Sequence, residues 1–239
     1  MNWQITSAQS LGAQHEQQDC LGAWTSDDGE CVLVVLADGA GGHHHGQLAA
    51  QAAAEMARSL WQRERPSMKN AQEFLETISR AAHEAVSALP RSPRTTWLAL
   101  MAGSREAAWA HSGDTRLYHY SSGRLQLRTQ DHSLLQVLVE RGKLTESDAQ
   151  NHPDRSVLLQ SLGGPEYLPV GHGAAALGGD DVFILCSDGV WNELDDAHLL
   201  HLARSAAQNR QRAAEELIAR AVQSGGTKAD NASVWLVAR

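Results

Sequence analysis

Residues 32–47 read VLVVLADGAGGHHHGQ, and the reading of this stretch decides the fold of the 239-residue chain. Val32 to Ala37 is a continuous apolar run rich in β-branched residues, the pattern of a strand buried on both faces. The run stops at Asp38; Gly39, Gly41 and Gly42 follow, and from Gln47 the sequence turns helical and alanine-rich. A carboxylate at the exit of a buried strand is held by a rigid scaffold, and glycines let backbone carbonyls approach a ligand closely. A metal or phosphate site fits this stretch, and so does a plain strand-to-helix turn with Asp38 as the capping residue. A dinucleotide-binding turn fits poorly. Gly39-Ala40-Gly41 supplies two glycines, but His44 stands where the third belongs, and the nearest acid downstream, Glu55, lies inside the helical stretch.

The composition is that of a soluble globular chain, 42% hydrophobic and 20% charged, long enough to bury a proper core. No apolar run approaches a membrane span, and MNWQITSAQS has no basic region followed by an apolar one, so neither a membrane partner nor a signal peptide is expected. Cys20, Cys31 and Cys186 form no CxxC spacing and cannot all pair; reduced thiols and a cytoplasmic location follow as expectations. A formal charge of −8 argues against nucleic acid or an anionic membrane as partner. It suits a cluster of carboxylates whose charge a bound cation offsets.

Around the opening stretch the chain alternates strands and helix pairs. An entering strand, the polar segment LGAQHEQQDC and a strand at 21–25 precede the turn Ser26-Asp27-Asp28-Gly29. A helix over 47–62 places Leu48, Ala52, Ala53, Met56 and Leu60 on one face, and a second amphipathic helix runs over 71–88 until Pro90. Segments 95–102, 107–111, 115–120 and 124–129 are short strands expected to form an antiparallel meander, with Ser121-Ser122-Gly123 as the last hairpin turn. A polar, helical stretch over 131–162, strands at 169–177 and 182–187, helices at 195–207 and 210–223, and a closing strand at 232–238 complete an α+β pattern without linker or repeat. One domain spanning 1–239 is the expectation.

Three further aspartates repeat the setting of Asp38. Asp114 lies in HSGDTR between two strands, Asp188 follows an apolar run in FILCSDGVW, and Asp230 precedes the last strand in GGTKADNASVWLV. Each alone reads most simply as a turn or cap residue. Four at strand ends, brought together, would repel one another and need cations, and oxygen-only ligands select hard metals such as Mg²⁺ or Mn²⁺.

The set LADGAGGHHHGQ, HSGDTRLY, TQDHS, LCSDGVW and GGTKADNASV, in this order and at these separations, resembles the PP2C (PPM) family of metal-dependent protein serine/threonine phosphatases, and most closely its compact bacterial stand-alone type. The resemblance implies two antiparallel sheets packed face to face with helices outside, an αββα sandwich, with the metal centre at one end. It implies that Asp38 bridges two metal ions, that the Gly39 carbonyl binds the second, and that Asp188 and Asp230 complete the shell of the first. Asp114 with Asp188 matches a third, weaker metal site, Asn231 lies behind the ligands, and residues 141–163 correspond to a flap beside the substrate groove. It further implies phosphorylated protein substrates and a bacterial Ser/Thr kinase as the antagonist; the chain is expected to act as a monomer.

The chemistry fits these residue types in its own right. Phosphomonoester hydrolysis is extremely slow unaided, so a site must activate water and neutralise phosphoryl oxygens. Two metals sharing one carboxylate lie roughly 3.5–4 Å apart and can hold a bridging hydroxide for in-line attack, with no side-chain nucleophile. Cys186, inside a buried strand and without a Cys-x5-Arg loop, reads as a core thiol.

The sequence departs from the family pattern near its start. Where the family has Arg-x-x-Asn-Glu-Asp, this chain has Gln14, Gln17, Gln18 and Asp19, so only the aspartate is kept. Gln14 stands in place of the arginine expected to grip the phosphate, and offers hydrogen bonds without charge; Arg94 or Arg116 are the substitutes to consider. Gln18 replaces a glutamate that orients water. Ala40 replaces a histidine, which leaves His43 or a metal-held water to protonate the leaving group. His44 and His45 read as solvated loop residues, and adjacent histidines without a nearby cysteine do not make a zinc site. His132 reads as a structural partner of a strand end. Two functions therefore compete: an Mn²⁺- or Mg²⁺-dependent phosphoserine/phosphothreonine phosphatase, and a catalytically weak or inactive relative that binds phosphoproteins or a regulatory partner. The intact set of aspartates favours the enzyme.

Overall fold

A computed structural model describes residues 3–40, 44–150, 152–205 and 209–239. Two antiparallel sheets face each other. The first contains β1 (Gln4–Ser10), β7 (Arg116–Ser121), β8 (Arg124–Arg128), β10 (Val182–Cys186) and β11 (Ala232–Ala238), in the order β1-β11-β10-β7-β8. The second contains β2 (Asp19–Thr25), β3 (Val32–Ala40), β5 (Trp97–Ala102), β6 (Glu106–Ser112) and β9 (Gly171–Ala176), in the order β2-β3-β5-β6-β9, with the short β4 (Arg94–Thr95) pairing the end of β3.

Period-two alternation divides the apolar run of β3 between two cores. Val32, Val34 and Leu36 point into the space between the sheets, where they meet Leu98, Leu117, Phe183 and Trp235. Leu33, Val35 and Ala37 point outward under α1 (His44–Glu64) and α2 (Ala71–Ser87). Alanines at 50, 53 and 57 keep α1 close to the strand. This face is rotated from the expected one, since Leu48 is 47% exposed while Ala57 and Trp61 are buried. On the opposite side α6 (Asp196–Ser205) and α7 (Arg210–Gly225) cover Ile184, Val234 and Leu236. The result is the αββα sandwich, and no helix among the described residues is long and apolar enough to cross a membrane.

Three differences from the sequence reading matter for the site. β3 does not stop at Ala37 but continues to Ala40, because Asp38 and Gly39 are gripped by Thr95 and Thr96 of the neighbouring segment. The expected meander over 95–129 splits in two. β5 and β6 form a hairpin in one sheet and β7 and β8 in the other, so Ser112-Gly113-Asp114 carries the chain across the end of the sandwich. The stretch 131–162 is helical only at α3 (Leu134–Glu140) and α4 (Glu146–Gln150), while α5 (Asp188–Trp191) is a short helix the sequence did not announce. Between α4 and β9 the chain is tied down by bridges from Leu158 to Ser133 and from Leu162 to Thr95.

Candidate active site

Asp38 lies directly across the β2–β3 ladder from Asp19, and its backbone is held from the other side. The Asp38 N–H donates to Thr96 Oγ1 at 2.9 Å, and its carbonyl accepts from the Thr95 hydroxyl at 2.9 Å and the Thr96 N–H at 2.8 Å. The Thr96 hydroxyl meets that of Thr115 at 2.5 Å, which links the strand bearing Asp38 to the residue after Asp114. These buried threonines anchor the backbone beside Asp38 and Asp114, a contribution that no local sequence pattern announces.

Four of the sequence-predicted aspartates converge, and Asp19 joins them. Burial pushes the Asp38 carboxyl well above its ordinary range, and the charges of Asp19, Asp188, Asp114 and Asp230 push it further. Asp38 is also within hydrogen-bonding reach of both Asp19 and Asp188, so it occupies the middle of the group. Asp188 is raised to about 6 by burial and by Asp230, and Asp114 well above the usual range by burial and by Asp188. Asp19 is 6% exposed; burial raises it to about 7 although Ser233 and Ser187 hydrogen bonds oppose the shift. The Ser187 hydroxyl donates to Asp19 Oδ2 at 2.8 Å, while Oδ1 is buried with no hydrogen-bond partner.

An orphaned carboxylate oxygen beside four mutually repelling acids is a donor set for a hard cation. Among the described residues no three His, Cys, Asp or Glu side chains form a group that could hold an ion by themselves. A cation here would be held by one or two carboxylates and keep several waters, as Mg²⁺ does. The residues fit a metal centre of that open kind.

The surroundings of the acids are equally specified. The Asn231 amide oxygen accepts the Gln18 N–H at 2.7 Å and its Nδ2 donates to the Leu11 carbonyl at 2.9 Å, which pins the loop carrying Gln14, Gln17 and Gln18 beside Asp230. Gln14 is exposed on that loop. Gly39 and Gly46 face each other so closely that a Cβ on Gly46 would fall 2.6 Å from the Gly39 carbonyl oxygen; both must be glycine for α1 to approach β3. Helix α1 begins at His44, so His44 and His45 belong to its first turn rather than to a loop. His43, the suggested proton donor, lies outside the described residues.

The two arginines proposed from sequence fare differently. Arg94 is exposed on β4 opposite Ala40. Arg116 is not available to a substrate. Its guanidinium makes two hydrogen bonds to Asp131, at 2.9 and 2.7 Å, and stacks 3.5 Å over the ring of Trp191, whose Nε1 donates to the Asp114 carbonyl at 2.9 Å. Sequence reasoning overlooked Arg155, an exposed cation between α4 and β9 whose charge lowers the pKa of Asp188. It borders a small cavity of about 60 Å³ with Arg116, Trp191 and Asn192. No local motif marks it, because its place depends on how the segment folds back. Cys186 is fully buried and pushed up to about 12, chiefly by desolvation, as a core thiol should be.

Comparison with known proteins points one way. The Protein phosphatase 2C family profile matches residues 8–223. Over 235 residues the chain is 27% identical to the serine/threonine phosphatase stp of Listeria welshimeri, covering 95% of this chain and 91% of that protein. The solved structure of the S. agalactiae serine/threonine phosphatase has a TM-score of 0.84 at 27% identity, with 99% of each chain covered. The fold is also that of the catalytic domain of the phosphatase PstP in complex with two manganese ions, at TM-score 0.83 and 24% identity, covering 99% of this chain and 97% of that one.

Proposed function

Because this chain belongs to the protein phosphatase 2C family, and is a serine/threonine protein phosphatase of that type, we propose that Asp38, Asp114, Asp188 and Asp230, with Asp19 behind them, hold the metal ions for hydrolysis of phosphoserine and phosphothreonine in proteins. One observation carries the assignment: Asp38 sits between Asp19 and Asp188, repelled by Asp114 and Asp230 as well. In this reading Asp38, Asp188, Asp230 and the Gly39 carbonyl would hold the core ions, and Asp114 with Asp188 would hold a weaker third. When bound, the metals supply Lewis acidity that makes water nucleophilic at neutral pH and neutralises phosphoryl oxygens. The PstP structure with two manganese ions supports Mn²⁺ as the ion to test first, with Mg²⁺ second.

The chain's own residues do the positioning. Thr95 and Thr96 hold Asp38 against rotation, Ser187 and Asn231 hold Asp19 and the Gln18 loop, and Trp191 holds the Asp114 carbonyl. Residues 141–163 act as the flap of a domain that spans 1–239, and Arg155 on it takes over the phosphate contact that Gln14 cannot supply as a charge. Arg94 is the other exposed cation on the rim. The enzyme opposes a Ser/Thr kinase. The named relatives are phosphatases, and no observation favours a non-catalytic binding module.

The test is hydrolysis of p-nitrophenyl phosphate and of phosphoserine and phosphothreonine peptides, with and without Mn²⁺. Turnover that requires the ion and stops with a chelator is expected. Undiminished hydrolysis after exhaustive chelation rules the assignment out.

A further inference from the structure

The segment Gln130-Asp131-His132-Ser133 has no part in the chemistry above, yet three elements of the site are fastened to it. Gln130 lends its carbonyl to His111 Nε2 at 3.0 Å, and Asp131 holds Arg116. Ser133 caps α3 by accepting the Gln136 N–H and pairs with Leu158. His132 does most. Its N–H donates to the Gly113 carbonyl at 2.9 Å, its Nδ1 accepts the Gly113 N–H at 3.3 Å, and its carbonyl accepts the Leu159 N–H at 2.9 Å.

Gly113 immediately precedes Asp114, at the point where the chain crosses between the sheets. Its φ is +103°, and a Cβ there would meet Thr96 Cγ2 at 2.8 Å. A glycine chosen for such a conformation is intrinsically free to leave it, so something else must hold the turn. Both backbone hydrogen-bonding groups of Gly113 go to His132. Accepting through Nδ1 requires the neutral ring with its proton on Nε2. Stacking on His111, with centroids 4.7 Å apart and planes 15° from parallel, sets the ring direction, and desolvation followed by His111 lowers the His132 pKa to about 4.

We propose that His132 is a positioning residue of this phosphatase: it clamps the Gly113 turn that aims Asp114 and joins that turn to the flap segment at Leu159. The consequence for metal binding rests on the reading of Asp114 as a ligand; the clamp itself can be read in metal-free protein.

Three variants separate the ring nitrogen from ring bulk. His132→Asn places Oδ1 where Nδ1 stood and keeps an acceptor for Gly113. His132→Gln puts its amide near the Nε2 position and His132→Ala offers nothing, so both leave the Gly113 N–H bare. In chelator-treated protein, amide hydrogen exchange at Gly113 and Leu159 should rise about tenfold or more in the Gln and Ala variants and stay near the parent rate in Asn, with β10 and β11 amides unchanged. The Mn²⁺ concentration for half-saturation by calorimetry should rise in the same two variants and recover in Asn. Equal exchange in all three variants, or faster exchange spread into β10, overturns the clamp. A clamp that loosens without any change in the Mn²⁺ titration overturns the positioning role and leaves the phosphatase assignment standing. Should the Gln and Ala variants not fold, ring ¹⁵N shifts of the parent protein decide: a proton on Nε2 is expected, and one on Nδ1 overturns the proposal.

Discussion

Strand β10 has an acid just beyond each of its ends, and the two ends treat their acids in opposite ways. Asp181, just before Val182, is 1% exposed and receives His119 Nε2 at 2.9 Å; that imidazole is stacked on Phe183 with centroids 4.5 Å apart. One acid meets one partner that can donate to it. Asp188, two residues after Cys186, meets Asp38 and Asp230, and behind them stand Asp19 and Asp114. Arginines reach only the edge of that group, Arg155 toward Asp188 and Arg116 toward Asp114. The fully buried acid is the paired one, and Asp188 is only half-buried, so burial is not what distinguishes a site. The imbalance of charge does: a fold that pairs its acid at one end and crowds acids together at the other has arranged the second for a cation.

The sharpest way to break this comparison is to remove one acid from each end. Asp38→Ala should lower turnover by several orders of magnitude, because it deletes the carboxylate proposed to hold the core ions. In the presence of chelator the same variant should melt no lower than the parent, since a repelled charge has been deleted. Asp181→Ala should do the reverse, keeping turnover per folded molecule while losing about 1–3 kcal/mol of stability as His119 loses its acceptor. Thermal melts and kinetics on the two proteins check both halves. An Asp38→Ala protein that is markedly less stable than its parent without metal would show that the acids are not in conflict.

Metal and pH sharpen the same contrast. In metal-free protein the folded-state pKa values of Asp188 and Asp19 are raised to about 6 and about 7, above the ordinary carboxylate range. The folded state then binds more protons than the unfolded state between about pH 4 and pH 7, so stability falls as pH rises through that window. The group's contribution is fully present at lower pH and is lost above the folded-state values. Saturating Mn²⁺ should remove that fall and add about 2.7 kcal/mol at 100 times its dissociation constant. A pH profile of the melting temperature that is the same with and without Mn²⁺ would count against a cation site among these residues.

Much of this was legible in the chain itself, and the reasons are physical. The buried strands announced themselves because a strand covered on both faces can hold little but apolar residues, as VLVVLA at 32–37 and VFILC at 182–186 do. The aspartates at 38, 114, 188 and 230 stood out against those runs, and the structure gathers them. That Asp19 faces Asp38 across the ladder is a matter of register that no single strand reveals. The split of 95–129 between two sheets was hidden for a similar reason: a turn such as HSGD reads alike whether the next strand pairs or crosses over. Arg116 looked available because its partner Asp131 is fifteen residues away and its platform Trp191 is farther still. Long-range pairing decides such cases, and it leaves no local pattern.

The smallest expected effect concerns the cations at the edge of the acidic end, and it tests which of them meets the substrate. Arg155→Ala should raise KM for a phosphopeptide about tenfold, the lower end of the 1.5–3 kcal/mol that a charged hydrogen bond contributes, since the side chain is exposed and its field is screened. The change in kcat should be smaller if the guanidinium holds ground state and transition state alike. Gln14→Arg in the Arg155→Ala background should recover part of the loss by supplying a charge from the loop beside Asp230. Arg116→Ala should behave otherwise. Its guanidinium is spent on Asp131 and Trp191, and Trp191 holds the Asp114 carbonyl, so its loss should weaken metal binding and lower kcat at fixed Mn²⁺ more than it raises KM. Kinetics over a range of Mn²⁺ separate the two patterns. If Arg155→Ala leaves KM unchanged while Arg94→Ala raises it, the phosphate is gripped from β4, and the arginine nearest Asp188 serves only to relieve the crowded acids.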